Sequence, residues 1–389
     1  MRPTPNEIDW STIGTHIYQR PERIPQAFRD LNASDPAVRE YARNFLLGHG
    51  QDFGSYYDTT PLIVGFLLDI LGNPDTPDRS ELMMALGGPF WGMLTSWGTI
   101  AMKRIQVAIY AMAKERRGIL ITLLSDADAP VRQGAARLLG YLTEDRHEIV
   151  SILLNHAARE IDAGVGSELC QSVKRLLADS MGWKDFVRLD PIPMFYDLIF
   201  RHPLMEVRVA AAQAAVEIQH AHHSMRQHAS LWHEITRLLL DTFLAQTQHV
   251  RLPDGYDDIA TVEPLLSDLS RLAPEPLLAA VIRPDISAEQ AHLLAMAIMI
   301  CACVSGDGIA ASWRKISLSL VQWHDERAFR YRPQSLIHER SSFRRDLVQA
   351  LVDTPRVWDI PTTLFSAWFG MPDSREALAM WLTQHTAER

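Results

Sequence analysis

Five of the chain's 15 histidines, His220, His222, His223, His228 and His233, stand within 14 residues of one another. Neutral imidazoles ligate zinc, copper or nickel, and clustered ones can converge on a single ion. Their spacing matches no zinc module and no cysteine lies near them, so the expected role is a polar loop between helices. A metal-dependent enzyme built on these histidines is the alternative. The three cysteines are Cys170, Cys301 and Cys303. The last two share an apolar stretch with Met296, Ile298 and Ile300, which marks them as buried, inert thiols. Too few and odd in number for a disulfide framework, the cysteines fit a reducing compartment. No cofactor is expected.

A second concentration of chemistry is basic. From Trp313 to Arg345, eight basic residues face three acids, a local balance of +5 in a chain whose net charge is -9. Trp313, Trp323, Phe329 and Tyr331 are interleaved with them, a combination that suits an acidic protein through carboxylate contacts and stacking. Arg327, Arg330 and Arg332 are the candidate contacts. A solvated loop face accounts for the same charges. Nucleic acid is the disfavoured alternative, because the acidic total repels a phosphate backbone at long range. Upstream, Phe90, Trp91 and Trp97 sit among Gly87, Gly88, Gly92 and Gly98, an aromatic loop or broken helix suited to plugging a gap between unlike repeats.

The elements that must position these residues follow from a recurring phrase. Val-Arg-x-x-Ala opens a run at Val38, again at Val131 and a third time at Val207. Small or apolar residues at i, i+4, i+7 and i+8 put Val38, Ala42, Phe45 and Leu46 on one face of a helix. Alanine in the middle of that face admits a close neighbour. The copies lie 93 and 76 residues apart, about twice the ~40–47-residue period of helical-pair repeats, so each gap should hold a degenerate unit. Thr99 to Arg116 is the candidate in the first gap and Glu168 to Met181, with Leu169, Val173, Leu176 and Leu177, in the second. Asp35-Pro36 reads as a helix start, with a looser version at Asp128 and Pro130. Ser287 with Gln290, and Asp373 with Glu376, have capping-box spacing. Five prolines between 253 and 284 predict brief helices there, and no strand pattern of convincing length is present.

The Asp35/Val38/Arg39/Ala42 and Asp128/Val131/Arg132/Ala135 patterns, with Val207/Arg208/Ala211, resemble the second helix of HEAT repeats. In that family an arginine and an aspartate commonly form a ladder between successive repeats, and the third copy lacks the aspartate. Gly54, Tyr57, Thr59 and the run from Val64 to Leu68 are similar to a segment of a group of bacterial HEAT-repeat proteins. Trp358, Phe369 to Pro372 and Arg375 to Leu378 resemble that group's closing module. The resemblance implies an all-α fold, an α-solenoid of HEAT-like helical pairs with atypical terminal capping units. Three His-Glu dipeptides, at His147, His233 and His338, look like those of deoxyhypusine hydroxylase, a di-iron enzyme on a HEAT-like frame. That enzyme uses four pairs in regular spacing, so the three here are read as incidental.

At 389 residues with 47% hydrophobic composition the chain can bury a continuous core. Met1 to Trp10 has no apolar h-region and the longest strongly apolar run, Leu293 to Val304, is short of the ~20 residues of a membrane span. A cytoplasmic protein with no membrane association is expected. The expected organisation is an N-terminal capping region over 1–80, central repeats over 81–250, and degenerate repeats with a closing module over 251–389. The expected function is non-catalytic binding of a protein partner, which includes neutralising it. Arg43, Gln133, Arg137 and Gln213 are the polar contacts expected between the buried positions of the repeat helices.

Overall fold

The computed structural model describes residues 4–13, 20–52, 55–91, 100–178, 191–222, 229–248, 256–272, 274–281, 283, 285–303, 345–358 and 374–384. Two compact units divide at Ala214 and Ala215. The described residues are all-α, and in the first unit helical pairs stack in a row. Among the described residues the sole departure is a hairpin of two-residue antiparallel strands, β1 Gln51–Asp52 and β2 Ser55–Tyr56. It is too short to have shown as alternating hydrophobicity.

In the first unit the helices are α1 Ile24–Asp30, α2 Pro36–Gly50, α3 Thr60–Leu71, α4 Arg79–Trp91, α5 Ile100–Glu115, α6 Arg117–Leu123, α7 Ala129–Leu139, α8 Arg146–Ala157, α9 Ala163–Ala178 and α10 Pro191–Arg201. Helix α11, Met205–His222, contains the division between the units. One row runs α2 on α4, α4 on α7 and α7 on α9, while α1, α3, α6 and α8 back these helices and α5 packs on α3. The phrase helices bury most of what its period requires: Ala42 and Leu46 in α2, Val131, Ala135, Leu138 and Leu139 in α7, and Val207, Ala211 and Ala214 in α11. Trp10, Phe28 of α1 and Phe66 of α3 form an aromatic cluster with centroids 5.4 to 6.3 Å apart. The Trp10 indole donates to the Pro5 carbonyl at 2.8 Å, so the ring is buried without an orphaned N–H.

One expectation about this unit changes. The degenerate member of the first gap is α4, whereas Thr99 to Arg116 supplies α5, which packs on α3. Helix α4 was hidden because it continues through Gly87, Gly88 and Pro89 as far as Trp91, residues that ordinarily break a helix. Residues 92–99 lie outside the described residues. In the second gap α9 is the expected helix, and Leu169, Val173, Leu176 and Leu177 are all buried. Close approach within the row depends on two glycines. A Cβ on Gly134 of α7 would overlap the Met83 side chain of α4, and one on Gly166 of α9 would overlap Val207.

The second unit contains α12 Ala229–Gln246, α13 Tyr256–Arg271, α14 Pro274–Val281, α15 Ala288–Cys303, α16 Arg345–Val352 and α17 Arg375–Gln384. Helix α15 is the hub, packed by α13, α14, α16 and the 3-10 turn Pro355–Trp358. From Ala291 to Ile298 every residue is buried, His292 among them, as the middle of a helix surrounded by others must be. The Ser287/Gln290 box forms as the spacing requires: the Ser287 amide donates to Gln290 Oε1 at 2.9 Å and the Gln290 amide to Ser287 Oγ at 3.1 Å. Asp373 lies outside the described residues, and at that helix start the Ser374 hydroxyl accepts from the Ala377 amide. Against the expectation of brief helices, α13 runs 16 residues with Pro264 inside it. Burial of Leu265, Leu266, Leu269 and Leu272 offsets the hydrogen bond that proline removes.

Candidate functional site

The arginines of the phrase are anchors. The Arg39 guanidinium donates to both Asp78 oxygens, at 2.6 and 3.1 Å, and to the carbonyls of Ala33 and Ser34. Arg132 repeats this geometry on Glu160, at 3.1 and 2.9 Å, and on the carbonyls of Asp126 and Ala127. Between them Arg79, at the start of α4, pairs with Asp126 at 2.7 Å and donates to the Leu71 carbonyl. Each arginine thus satisfies carbonyls at or just past the end of the preceding helix and pairs with an acid just before the next helix of the row, Arg39 and Arg132 in two-point forks and Arg79 through one nitrogen.

This is a ladder between successive pairs, but its acids are Asp78, Asp126 and Glu160 rather than Asp35 and Asp128. Asp35 instead accepts from the Ala37 amide and caps α2. Arg208 donates to the Ile199 carbonyl. Asp78 holds a positive φ of 51°, a conformation that Asp tolerates better than most residues. The Arg39 fork outweighs burial and holds the Asp78 carboxyl below its usual value. At Glu160 burial pushes upward, and the Arg132 fork with the Asp162 and Ile161 amides brings the net shift below the usual value.

A denser polar cluster joins α7 to α9. Glu168, 8% exposed, receives Arg137 at 2.7 Å and also Arg175, which donates to Ser172 Oγ at 2.7 Å and lies 5.3 Å from the Tyr141 ring centroid. Of the proposed contact residues, Arg137 is therefore engaged at this junction. Gln133 is half-buried on α7, Arg43 half-buried on α2, and Gln213 half-buried on α11. Arg327, Arg330 and Arg332 lie outside the described residues.

The first copy of the phrase departs from the others. Val38 is 38% exposed, whereas Val131 and Val207 are fully buried; the expected burial of Val38 is thus corrected. Three residues further on, Tyr41 is 62% exposed where α7 has Gly134 and α11 has buried Ala210. The Tyr41 ring stacks on Phe45 at 6.4 Å. Val207 is closed off by Gly166 and Gly134 meets Met83, helices earlier in the same row. Helix α2 opens that row.

The histidine cluster divides. His220 and His222 end α11, His223 and His228 lie outside the described residues, and His233 stands exposed on α12. Among the described residues no group of three or more His, Cys, Asp or Glu could hold a metal. His233 lines a cleft of ≈ 240 Å³ with Arg237 and Leu240 of α12, Pro276, Ala279 and Ala280 of α14, and Arg283. Sequence reasoning missed Arg237, Arg283 and the ladder acids, whose partners are set by folding rather than spacing. It also missed His292, fully buried on α15, whose pKa burial lowers to about 4 against an opposing backbone hydrogen bond at Val357. Cys170 is buried, which raises its thiol pKa to about 12. Among the described residues no helix is long and apolar enough to cross a membrane.

No known family model matches the chain, and no curated protein matches it. Among solved structures, the complex of CpcE and CpcF of phycocyanin lyase from Nostoc sp. PCC7120 is similar over 82% of this chain and 96% of that one, at 16% identity and a TM-score of 0.35. The expectation that the chain is not an enzyme is withdrawn, because a helical-repeat fold does not by itself decide whether a protein catalyses a reaction.

Proposed function

We propose that the chain is a helical-repeat scaffold that binds another protein through the open face of α2. The observation that carries this reading is the contrast between copies: Val38 and Tyr41 are exposed where α7 and α11 bury Val131, Val207 and Ala210 and set Gly134 against Met83. Tyrosine stacked on Phe45 presents large apolar area with a polar tip, the kind of side chain that anchors protein interfaces. Arg43, Gln133, Arg137 and Gln213 are proposed as polar contacts of the surrounding surface. Occlusion of the companion's own surface would neutralise it, which the companion's activity with and without the chain measures.

The test is a photo-cross-linking residue placed at Tyr41 in the native cells, with Ile161, 87% exposed in the α8–α9 connection, as the comparison site. One discrete companion at position 41 and none at 161 is the expected outcome. No adduct at 41, or the same adducts at both positions, sinks the reading.

A further inference from the structure

The cleft between α12 and α14 carries chemistry that the α2 face does not use. His233, Arg237 and Leu240 stand at i, i+4 and i+7 and so line one wall, while Pro276, Ala279 and Ala280 form the other. Small residues on α14 leave the space open, and Leu240 and Ala280 are buried at its base. The charges around it are unequally satisfied. Asp285 takes the Arg283 guanidinium in a fork at 3.0 and 2.6 Å, and Asp241 adds to its attraction. Arg237 is exposed and makes no ion pair among the described residues. One turn away stands His233, also exposed.

We propose that this cleft docks an acidic segment of a partner protein, an Asp or Glu carboxylate forking onto Arg237 while an adjacent apolar side chain rests on Leu240 and Ala280. Guanidinium matches a carboxylate in two-point geometry, and apolar walls reduce the solvent screening that weakens an exposed pair. A basic side chain in the same place would set its charge against Arg237. Charge complementarity thus selects the occupant. The proposal rests on the protein-binding reading and names the chemistry of one contact.

The probe is a fluorescein-labelled peptide of alternating Glu and Leu, titrated with the full chain by anisotropy, beside the same peptide with Gln for Glu. Saturable binding of the Glu peptide is expected, at least tenfold tighter than the Gln peptide. Arg237→Gln is expected to weaken it tenfold or more with an unchanged melting temperature. Ala279→Trp, which fills the cleft from an exposed position, should abolish binding independently. Failure of the Glu peptide to bind, equal binding of the Gln peptide, or indifference to both substitutions overturns the proposal. Displacement by hexanoate at peptide-like concentration also overturns it, by assigning the cleft to free small carboxylates. Retention of the Tyr41 adduct in Arg237→Gln separates this failure from failure of the α2 reading.

Discussion

The two units are joined internally by different chemistry. In the first, the junctions between helices of the row are ion pairs, forked in most cases: Arg39 on Asp78, Arg79 through one nitrogen on Asp126, Arg132 on Glu160, and Arg137 with Arg175 on Glu168. In the second, the described hydrogen bonds between helices end on carbonyls and a hydroxyl, the Arg375 guanidinium of α17 donating to the Val352 carbonyl of α16 at 2.7 Å, while the ion pairs Arg271–Asp268 and Arg283–Asp285 lie within α13 and in the α14–α15 connection. Gln290 donates to the Leu244 carbonyl at 2.8 Å and to Thr247 Oγ1 at 3.0 Å, and the Trp358 indole donates to the Leu351 carbonyl. A fork accepts one geometry, so it sets which residue of one helix meets which of the next. An apolar hub such as α15 needs only complementary volume, and an amide to complete the hydrogen bonds at its end. The first unit should therefore depend on carboxylate charge at its junctions and the second on keeping the hub helix α15 uncharged.

Removing the most buried acid of the first unit should have the largest effect. Glu168→Ala strands Arg175 and frees Arg137, and should destabilise by ~3–5 kcal/mol in urea unfolding. A loss below about 1 kcal/mol would show that the fork is not what joins α7 to α9.

Acid should separate the units. His292 has its pKa lowered from 6.5 to about 4, so the unfolded chain binds the proton more tightly. The stability it contributes is complete above pH 6.5 and is lost as pH falls towards 4, by about 3 kcal/mol. Asp78 and Glu160 have depressed values; their contribution is present above their unfolded values of 3.8 and 4.5 and is lost as pH falls through the folded ones. Hydrogen exchange followed from pH 7 downward should show α15 lose protection before α7, and His292→Asn should remove that early loss. Simultaneous loss, unchanged in the variant, would erase the distinction.

A smaller effect sharpens the packing half of the comparison. Ala135, fully buried in α7, leaves no room for added methylenes, and Ala135→Leu should cost ~1–3 kcal/mol. Tyr41→Ala, at the matching open face, should change stability by no more than about 0.5 kcal/mol. Thermal unfolding of both variants measures the gap, and equal losses would mean that α2 is packed as α7 is.

Much of the local structure was legible in the residues. The Val-Arg phrase located α2, α7 and α11, and period alone found the buried stripe of α9. The Ser287/Gln290 box was readable because both partners lie within one turn. What escaped was of two kinds. Elements whose local signals oppose their structure were misread, as with Gly87, Gly88 and Pro89 inside α4 and Pro264 inside α13, because packing overrides propensity. Partners far along the chain were invisible. Asp69 forks onto Arg116 at 3.0 and 2.8 Å, and nothing in either residue's neighbourhood announces the other. The candidate sites belong to this second kind: the cleft at Arg237 requires α14 beside α12, and His292 becomes perturbed only when other helices enclose α15.

The sequence by itself determined that the chain is a series of amphipathic helices with small residues at recurring contact positions, since periodicity and capping act over a few residues. It also determined that arginine would open the repeat helices. Tertiary structure decided which acids those arginines hold and which copy of one phrase is covered. Val38 and Val131 occupy the same place in nearly the same local pattern; one is open and the other closed because burial depends on the neighbour that arrives, which the pattern does not contain.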